Sequence, residues 1–201
     1  MNFAHGLVAV AVTVTVGVVG PAVLFAGPAV AARAGSSWGS VDESRLTGPG
    51  VDISVTVPAG WRQIHDQSHP QLLQMVYPET CSVGLECASA MARVFSMQAS
   101  SAQAGAETAE QAIAGQPGIQ GRTVTSQGPV QVATRPGYQV RFIYLNANAK
   151  FQAAIAAVET GPVSSGVVPI SLVFVTVSDL AGAPSASVID QIVGSTQLTA
   201  G

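Results

Sequence analysis

Alternation of hydrophobic and polar positions begins at Val51 and predicts β-strands through much of the chain that follows. Across residues 51–57 every second residue is aliphatic, and the residues between them are Asp, Ser and Thr, so the aliphatic side chains share one face of a strand. Pro58 and Gly60 end this strand, and Trp61 follows the turn. The same alternation predicts strands over residues 72–77 and 91–97, which are joined by a turn that contains both cysteines.

The second half of the chain predicts further strands. Residues 122–126, 130–134 and 137–146 are extended segments, with Arg135-Pro136-Gly137 as the turn between the last two. Residues 150–158 are rich in alanine, which suits a helix, but their position after a short polar turn favours a strand. Residues 167–177 form the most β-branched segment after residue 50, so we predict that they form a central strand.

Two segments predict helices. Residues 106–114 contain good helix formers and end at Gly115, and a second helix opens at Pro184-Ser185, where Ser185 or Ser187 can cap it. In the second helix four aliphatic residues recur on one face: Val188, Ile189, Ile192 and Val193. This order of strands and helices predicts an α+β fold, an antiparallel β-sheet flanked by helices.

The N-terminal segment predicts export. Residues 6–19 are almost entirely apolar, and two small-residue cleavage signals follow before residue 35, so residues 1–34 are typical of a signal peptide. The first five residues contain no Lys or Arg, and residues 6–32 are long enough to span a bilayer, so a retained membrane anchor is the alternative. Residues 35–50 are predicted to be a flexible linker and residues 51–201 a single domain.

Composition excludes some functions and predicts one covalent link. Charged residues make up 9% of the chain, Lys150 is the only lysine and the net charge is −3, so we expect no nucleic-acid partner. In an exported protein the two cysteines, Cys81 and Cys87, are expected to form a disulfide that closes a short loop. No cysteine directly follows the leader, so the chain has no lipoprotein attachment site.

Catalytic motifs are scarce. His65 and His69 have the spacing of two metal ligands on one helical face, but Asp66 takes the place of the zincin glutamate and Pro70 follows at once, so a solvated loop is the favoured interpretation. The chain has no phosphate-binding glycine motif. We therefore predict no catalytic residues, no metal and no cofactor.

Several segments resemble the LpqN/LpqT family of actinobacterial exported proteins, which belongs to the PsbP-like superfamily. They are residues 51–61 (VDISVTVPAGW), 108–115 (TAEQAIAG), 136–144 (PGYQVRFIY) and 168–198, which include VPISLVFVTVSD and SVIDQIVGSTQL. The resemblance implies a PsbP-like α/β/α sandwich and an accessory or ligand-binding role in the cell envelope, without catalytic residues to carry over. Many members of that family are lipoproteins, and this chain departs from them in lacking the attachment cysteine.

The leading hypothesis is an exported, non-catalytic envelope protein that binds an apolar or amphipathic ligand, such as an envelope lipid, or a partner protein. Tyr138, Phe142, Tyr144 and Phe151 are candidates to line the binding groove. The alternatives are a metal-dependent hydrolase that uses His65 and His69 and a purely structural secreted domain. A membrane is an expected partner only if the leader is retained.

Overall fold

The computed structural model describes residues 44–48, 50–65, 73–81, 88–146 and 149–199, with His65 described by its backbone alone. The predicted leader, His69, Cys87 and the turn at residues 147–148 lie outside the described residues. Within the described residues, no helix is long and apolar enough to cross a bilayer.

Ten strands and two helices form along the described parts of the chain. In order they are β1 (Ser44–Leu46), β2 (Ile53–Val57), β3 (Arg62–His65), β4 (Leu73–Tyr77), β5 (Ala90–Ala99), α1 (Ala102–Ala114), β6 (Ile119–Val132), β7 (Arg135–Asn146), β8 (Ala149–Glu159), β9 (Val168–Ser178), α2 (Ser187–Gly194) and β10 (Gln197–Leu198).

Seven of these strands form one antiparallel sheet in the order β3-β4-β5-β9-β8-β7-β6. Helix α1 packs on one face of this sheet. Helix α2 and a small sheet with the order β1-β2-β10 pack on the other face. The predicted α+β fold is confirmed, and β9 is the central strand, as its β-branched composition predicted.

Two hydrophobic cores lie on the two faces of β9. Val173, Val175 and Val177 belong to the core on the α2 side, and Leu172 and Phe174 belong to the core on the α1 side. All five side chains are buried, and each such burial contributes roughly 1.5–3 kcal/mol relative to an exposed side chain. A strand covered on both faces therefore needs apolar side chains on both of them, as β9 has from Leu172 to Val175.

The β6–β7 hairpin differs from its sequence prediction. β6 is one strand where two were predicted, and its register shifts twice, between Gln120 and Thr123 and between Val124 and Ser126. The predicted turn at residues 135–137 is wrong, because these residues pair within β7. The turn lies directly before β7, at Ala133 and Thr134. Both residues have positive φ (51° and 67°) although neither is Gly or Asn.

Several other helices and strands have bounds that differ from the predicted ones. Residues 44–46 of the predicted linker form β1, residues 62–65 form β3 where a loop was expected, and residues 197–198, for which no element was predicted, form β10. Helix α1 begins four residues earlier than predicted, because the Ser101 hydroxyl accepts a hydrogen bond from the Ala104 N–H (3.1 Å). Helix α2 has Ala186 at its N-cap, with no side-chain cap, so the predicted serine cap is wrong. The choice of strand for β8 is confirmed.

Gly137 is required by a close approach of two strands. A Cβ at this position would lie 2.4 Å from the backbone carbonyl oxygen of Ala157 and 2.8 Å from Val132 Cγ2, whereas a Cβ at Gly128 of the neighbouring strand would have no atom within 4 Å. Gly137→Ala is expected to destabilise the fold by at least about 2 kcal/mol, since β7 and β8 must move apart. Gly128→Ala, the matched control, should change stability by less than about 0.5 kcal/mol. Urea unfolding of both variants measures the difference, and equal effects would show that β8 is not held this closely.

Candidate functional site

The face of the sheet beneath α1 carries most of the aromatic side chains. One row across this face contains Phe95 of β5, Leu172 of β9, Ala157 of β8 and Tyr138 of β7, which are successive cross-strand partners. Leu172 and Ala157 are buried beneath the helix, whereas Phe95 and Tyr138 at the two ends of the row are half-buried. At about 4.8 Å per strand, the two aromatic residues are roughly 14 Å apart, one on each side of α1.

The other three predicted groove residues lie together inside the core. The Tyr144 and Phe151 rings are parallel within 7° at a centroid distance of 5.1 Å, and Phe142 lies 5.8 Å from Tyr144 and 6.5 Å from Phe174. Phe142, Tyr144 and Phe151 are each at most 5% exposed. The structure therefore places them in the packed interior, and their proposed contact with a ligand stays a prediction.

Tyr144 forms a buried polar contact in this core. Its hydroxyl lies 3.0 Å from Thr176 Oγ1, and the Thr176 hydroxyl lies 3.2 Å from the Gln152 carbonyl. Because the single hydroxyl hydrogen of Thr176 can donate to that carbonyl, the Tyr144 phenol is positioned to donate to Thr176. Burial raises the pKa of Tyr144 from 10.0 to about 12, while the hydrogen bond with Thr176 and the positive charge of Arg93 lower it. A neutral phenol that serves as a donor is a structural group at physiological pH.

Charged side chains connect the helices to the sheet. Glu110 of α1 is almost fully buried and binds the Arg122 guanidinium of β6 through both carboxylate oxygens. On the other face Arg141 of β7 pairs with Asp190 of α2. Each of these carboxylates pairs with an arginine that fixes a helix, so neither is available as an opposed acid–base pair of the kind that glycosidases use.

Three half-buried apolar side chains lie on the α1 face of the sheet, on its β3–β5 side, and we call them the β5 groove: Ile64, Phe95 and Met97. All three pack against the core beneath α1 and retain exposed area. Met97 pairs with Ile170, which lies directly under Gly105, where an added Cβ would approach Ile170 Cγ2 to 3.0 Å. The absence of a side chain at Gly105 lets the helix lie close to the sheet beside the groove.

Alternation predicted a strand over residues 91–97 but provided no reason to select Phe95 or Met97 as surface groups. Alternation shows which side chains share a face, and it does not show where the covering helix will lie on that face. The one available signal was the position of α1 directly after β5, since a helix that begins there must leave the sheet next to the end of that strand.

The other predicted sites are only partly within the described residues. His65 is the last residue of strand β3 and does not lie on a helix, so the helical face assumed for a metal site with His69 is not present at His65. The described residues contain no group of three or more His, Cys, Asp or Glu that could hold a metal ion. Cys81 is buried and is not a free thiol, and its predicted partner Cys87 lies outside the described residues, so their pairing stays a prediction.

Comparison with known proteins gives structural neighbours and no sequence match. No family model matches the chain, and no curated protein sequence matches it. LpqN of Mycobacterium tuberculosis, described as involved in cell envelope biogenesis, has a similar structure with 15% identity and a TM-score of 0.48, over 79% of this chain and 91% of LpqN. Cyanobacterial PsbP from Synechocystis sp. PCC 6803 has 10% identity and a TM-score of 0.43, over 81% and 98% of the two chains.

These neighbours have the names that the sequence resemblance suggested. The identities and TM-scores are too low to transfer a function to this chain, so its function must be argued from its own residues.

The raised pKa of Tyr144 predicts a specific alkaline destabilisation. Above pH 10 the unfolded state loses the phenolic proton that the folded state keeps, so the stability that this group contributes falls as pH rises from about 10 towards 12. Between pH 9 and pH 11 the wild type should lose about 1 kcal/mol more than Tyr144→Phe, which lacks the ionisable group. Urea unfolding at both pH values measures this difference, and parallel losses in the two proteins would contradict it.

The predicted disulfide is tested by mass. Native protein should weigh two hydrogens less than reduced protein, and its proteolytic digest should contain a linked peptide with Cys81 and Cys87. Replacing both by serine should lower stability by about 2–3 kcal/mol, because the closed loop is short. A full-mass protein that takes up thiol reagent under native conditions would exclude the bond.

Proposed function

We propose that this chain is an exported, non-catalytic protein of the cell envelope that binds an apolar or amphipathic ligand at the β5 groove. The observation that supports this proposal is that Ile64, Phe95 and Met97 keep exposed apolar area while they pack against the core beneath α1. Binding sites for small apolar ligands are usually concave and lined by such side chains. The apolar leader supports the assignment to the envelope.

The polar interior supports a binding role over a catalytic one. Tyr144 and Thr176 contact each other, Arg93 donates to Gln74, and Glu110 is engaged with Arg122. These contacts use the buried polar groups to hold strands and helices together. The half-buried side chains of Phe95 and Met97, in contrast, suit an adaptable apolar contact with a ligand.

The position of the groove in the sheet supports the same proposal. β4 begins opposite Val94, so among the described residues no strand pairs with residues 95–99 on the side away from β9. A ligand lying along Phe95 and Met97 would have the sheet beneath it and α1 beside it. Burial of such apolar area stabilises a complex by about 25 cal/mol per Å² before the costs of association.

The test replaces two side chains of the β5 groove and leaves the fully buried core residues unchanged. Protein purified from its own host is incubated with host lipid extract and examined by native mass spectrometry. Phe95→Gln with Met97→Gln should reduce the ligand-bound fraction at least roughly fivefold, because two apolar contacts become polar. Tyr138→Gln, the matched control on the other side of α1, should retain the ligand, and thermal unfolding verifies that all variants fold.

Each other result selects a different function. Loss of the ligand in Tyr138→Gln alone would move the site to the far side of α1. An unliganded wild type would support a purely structural secreted domain. Bound zinc in the purified protein would support the alternative of a metal-dependent hydrolase using His65 and His69.

A further inference from the structure

One end of the large sheet exposes two leucines side by side with the only lysine of the chain. Leu145 is 44% exposed and Leu180 is 52% exposed, and Lys150 is exposed between them. Leu145 and Lys150 are cross-strand partners on β7 and β8. The Asp179 N–H donates to the Lys150 carbonyl (2.9 Å), and Leu180 follows Asp179 in the bend after β9. We call these three residues the leucine patch.

The chain enters the domain at this same end. Ser44 of β1 lies opposite Val57, the last residue of β2, and the turn after Val57 leads to the beginning of β3. Backbone hydrogen bonds connect this end strand by strand: Glu79 N–H to Gly60 C=O (2.7 Å), Ser89 to Tyr77 (2.9 Å), Ser178 to Ser89 (2.8 Å) and Asp179 to Lys150 (2.9 Å).

The length of the preceding segment restricts which end of the domain can reach a membrane. Eleven residues, 33–43, separate the alternative membrane anchor (residues 6–32) from Ser44, and a coil of eleven residues has an end-to-end distance of about 18 Å. Strand β1, where the chain enters, contacts β4. From β4 to β7 is four strand spacings, about 19 Å, so the leucine patch lies at a similar distance from the entry point. The opposite end lies one length of β9 away, about 36 Å.

We propose that the leucine patch rests on the lipid bilayer that the uncleaved leader spans. The proposal depends on the export proposed above and on retention of the leader. Leu145 and Leu180 enter the apolar side of the bilayer interface, and Lys150 reaches the headgroups with its long side chain. The Asp179 carboxylate accepts a hydrogen bond from the Lys150 backbone N–H (3.0 Å), so one negative charge lies near the single positive charge and the contact depends mainly on the two leucines.

Lys150 is a built-in probe of this contact. The full-length chain is reconstituted in phosphatidylcholine vesicles and treated briefly with a water-soluble amine acylating reagent, and modification of Lys150 is measured by peptide mass spectrometry. Leu145→Ser with Leu180→Ser is expected to raise the acylation rate roughly tenfold, because the patch leaves the interface. Val163→Ser with Val167→Ser is the matched control, since these valines are 69% and 40% exposed at the opposite end of the sheet, and it should leave the rate unchanged.

The remaining outcomes decide against the proposal. Equal acylation rates in the wild type and the leucine variant would overturn it, as would protection that increases with the protein-to-lipid ratio, which would indicate a second copy of the chain on the patch. An intact mass that lacks the leader would also overturn it while leaving export and ligand binding at the β5 groove intact. If the double variant fails to fold, Leu180→Ser alone is measured in its place.

Discussion

The central strands β8 and β9 must be covered on both faces, and the rest of the architecture follows from this constraint. Nearly every side chain of β9 is buried, with Val175 on the α2 side and Phe174 on the α1 side. A sheet with such strands at its centre exposes too much apolar surface to stand alone in water. Helix α1 provides one cover, and α2 with the small sheet provides the other. The edges receive less cover because they lie beyond the helices.

Incomplete cover of the sheet by α1 explains where the proposed ligand-binding surface lies. Helix α1 presents small residues to the sheet, and Gly105 brings it close to Ile170, so a narrow helix lies deep over the middle strands. Side chains at the margin of its footprint, such as Phe95 and Tyr138, then remain partly exposed. Phe142 and Tyr144 lie farther along β7, the strand that carries Tyr138, and they are buried because they are inside the aromatic core.

Sequence patterns predicted the elements whose signals are local. β9 is β-branched, the face of α2 repeats at helical spacing, and β2 alternates, so all three were found. Features that depend on distant partners were missed: β1 and β10 are strands only because β2 lies between them. The hairpin turn at Ala133 and Thr134 lacks the usual glycine, whereas Gly137, which suggested a turn, is present for the approach of Ala157. None of the β5 groove residues was among the predicted groove residues, because alternation placed Tyr138 on the α1 face of the sheet without showing how far α1 extends.

The small sheet joins the two ends of the domain. Arg45 of β1 donates from Nε to Ser54 Oγ on β2 (2.8 Å) and from Nη2 to Gln197 Oε1 on β10 (2.9 Å), so one guanidinium spans all three strands. Ser54 is buried, which gives its contact with Arg45 little competition from water. The first strand after the leader is thereby fixed to the α2-side cover and to the C-terminal strand. With the leader retained, as proposed above, this attachment of β1 limits the orientations of the domain above the membrane and places its entry end nearest the lipid.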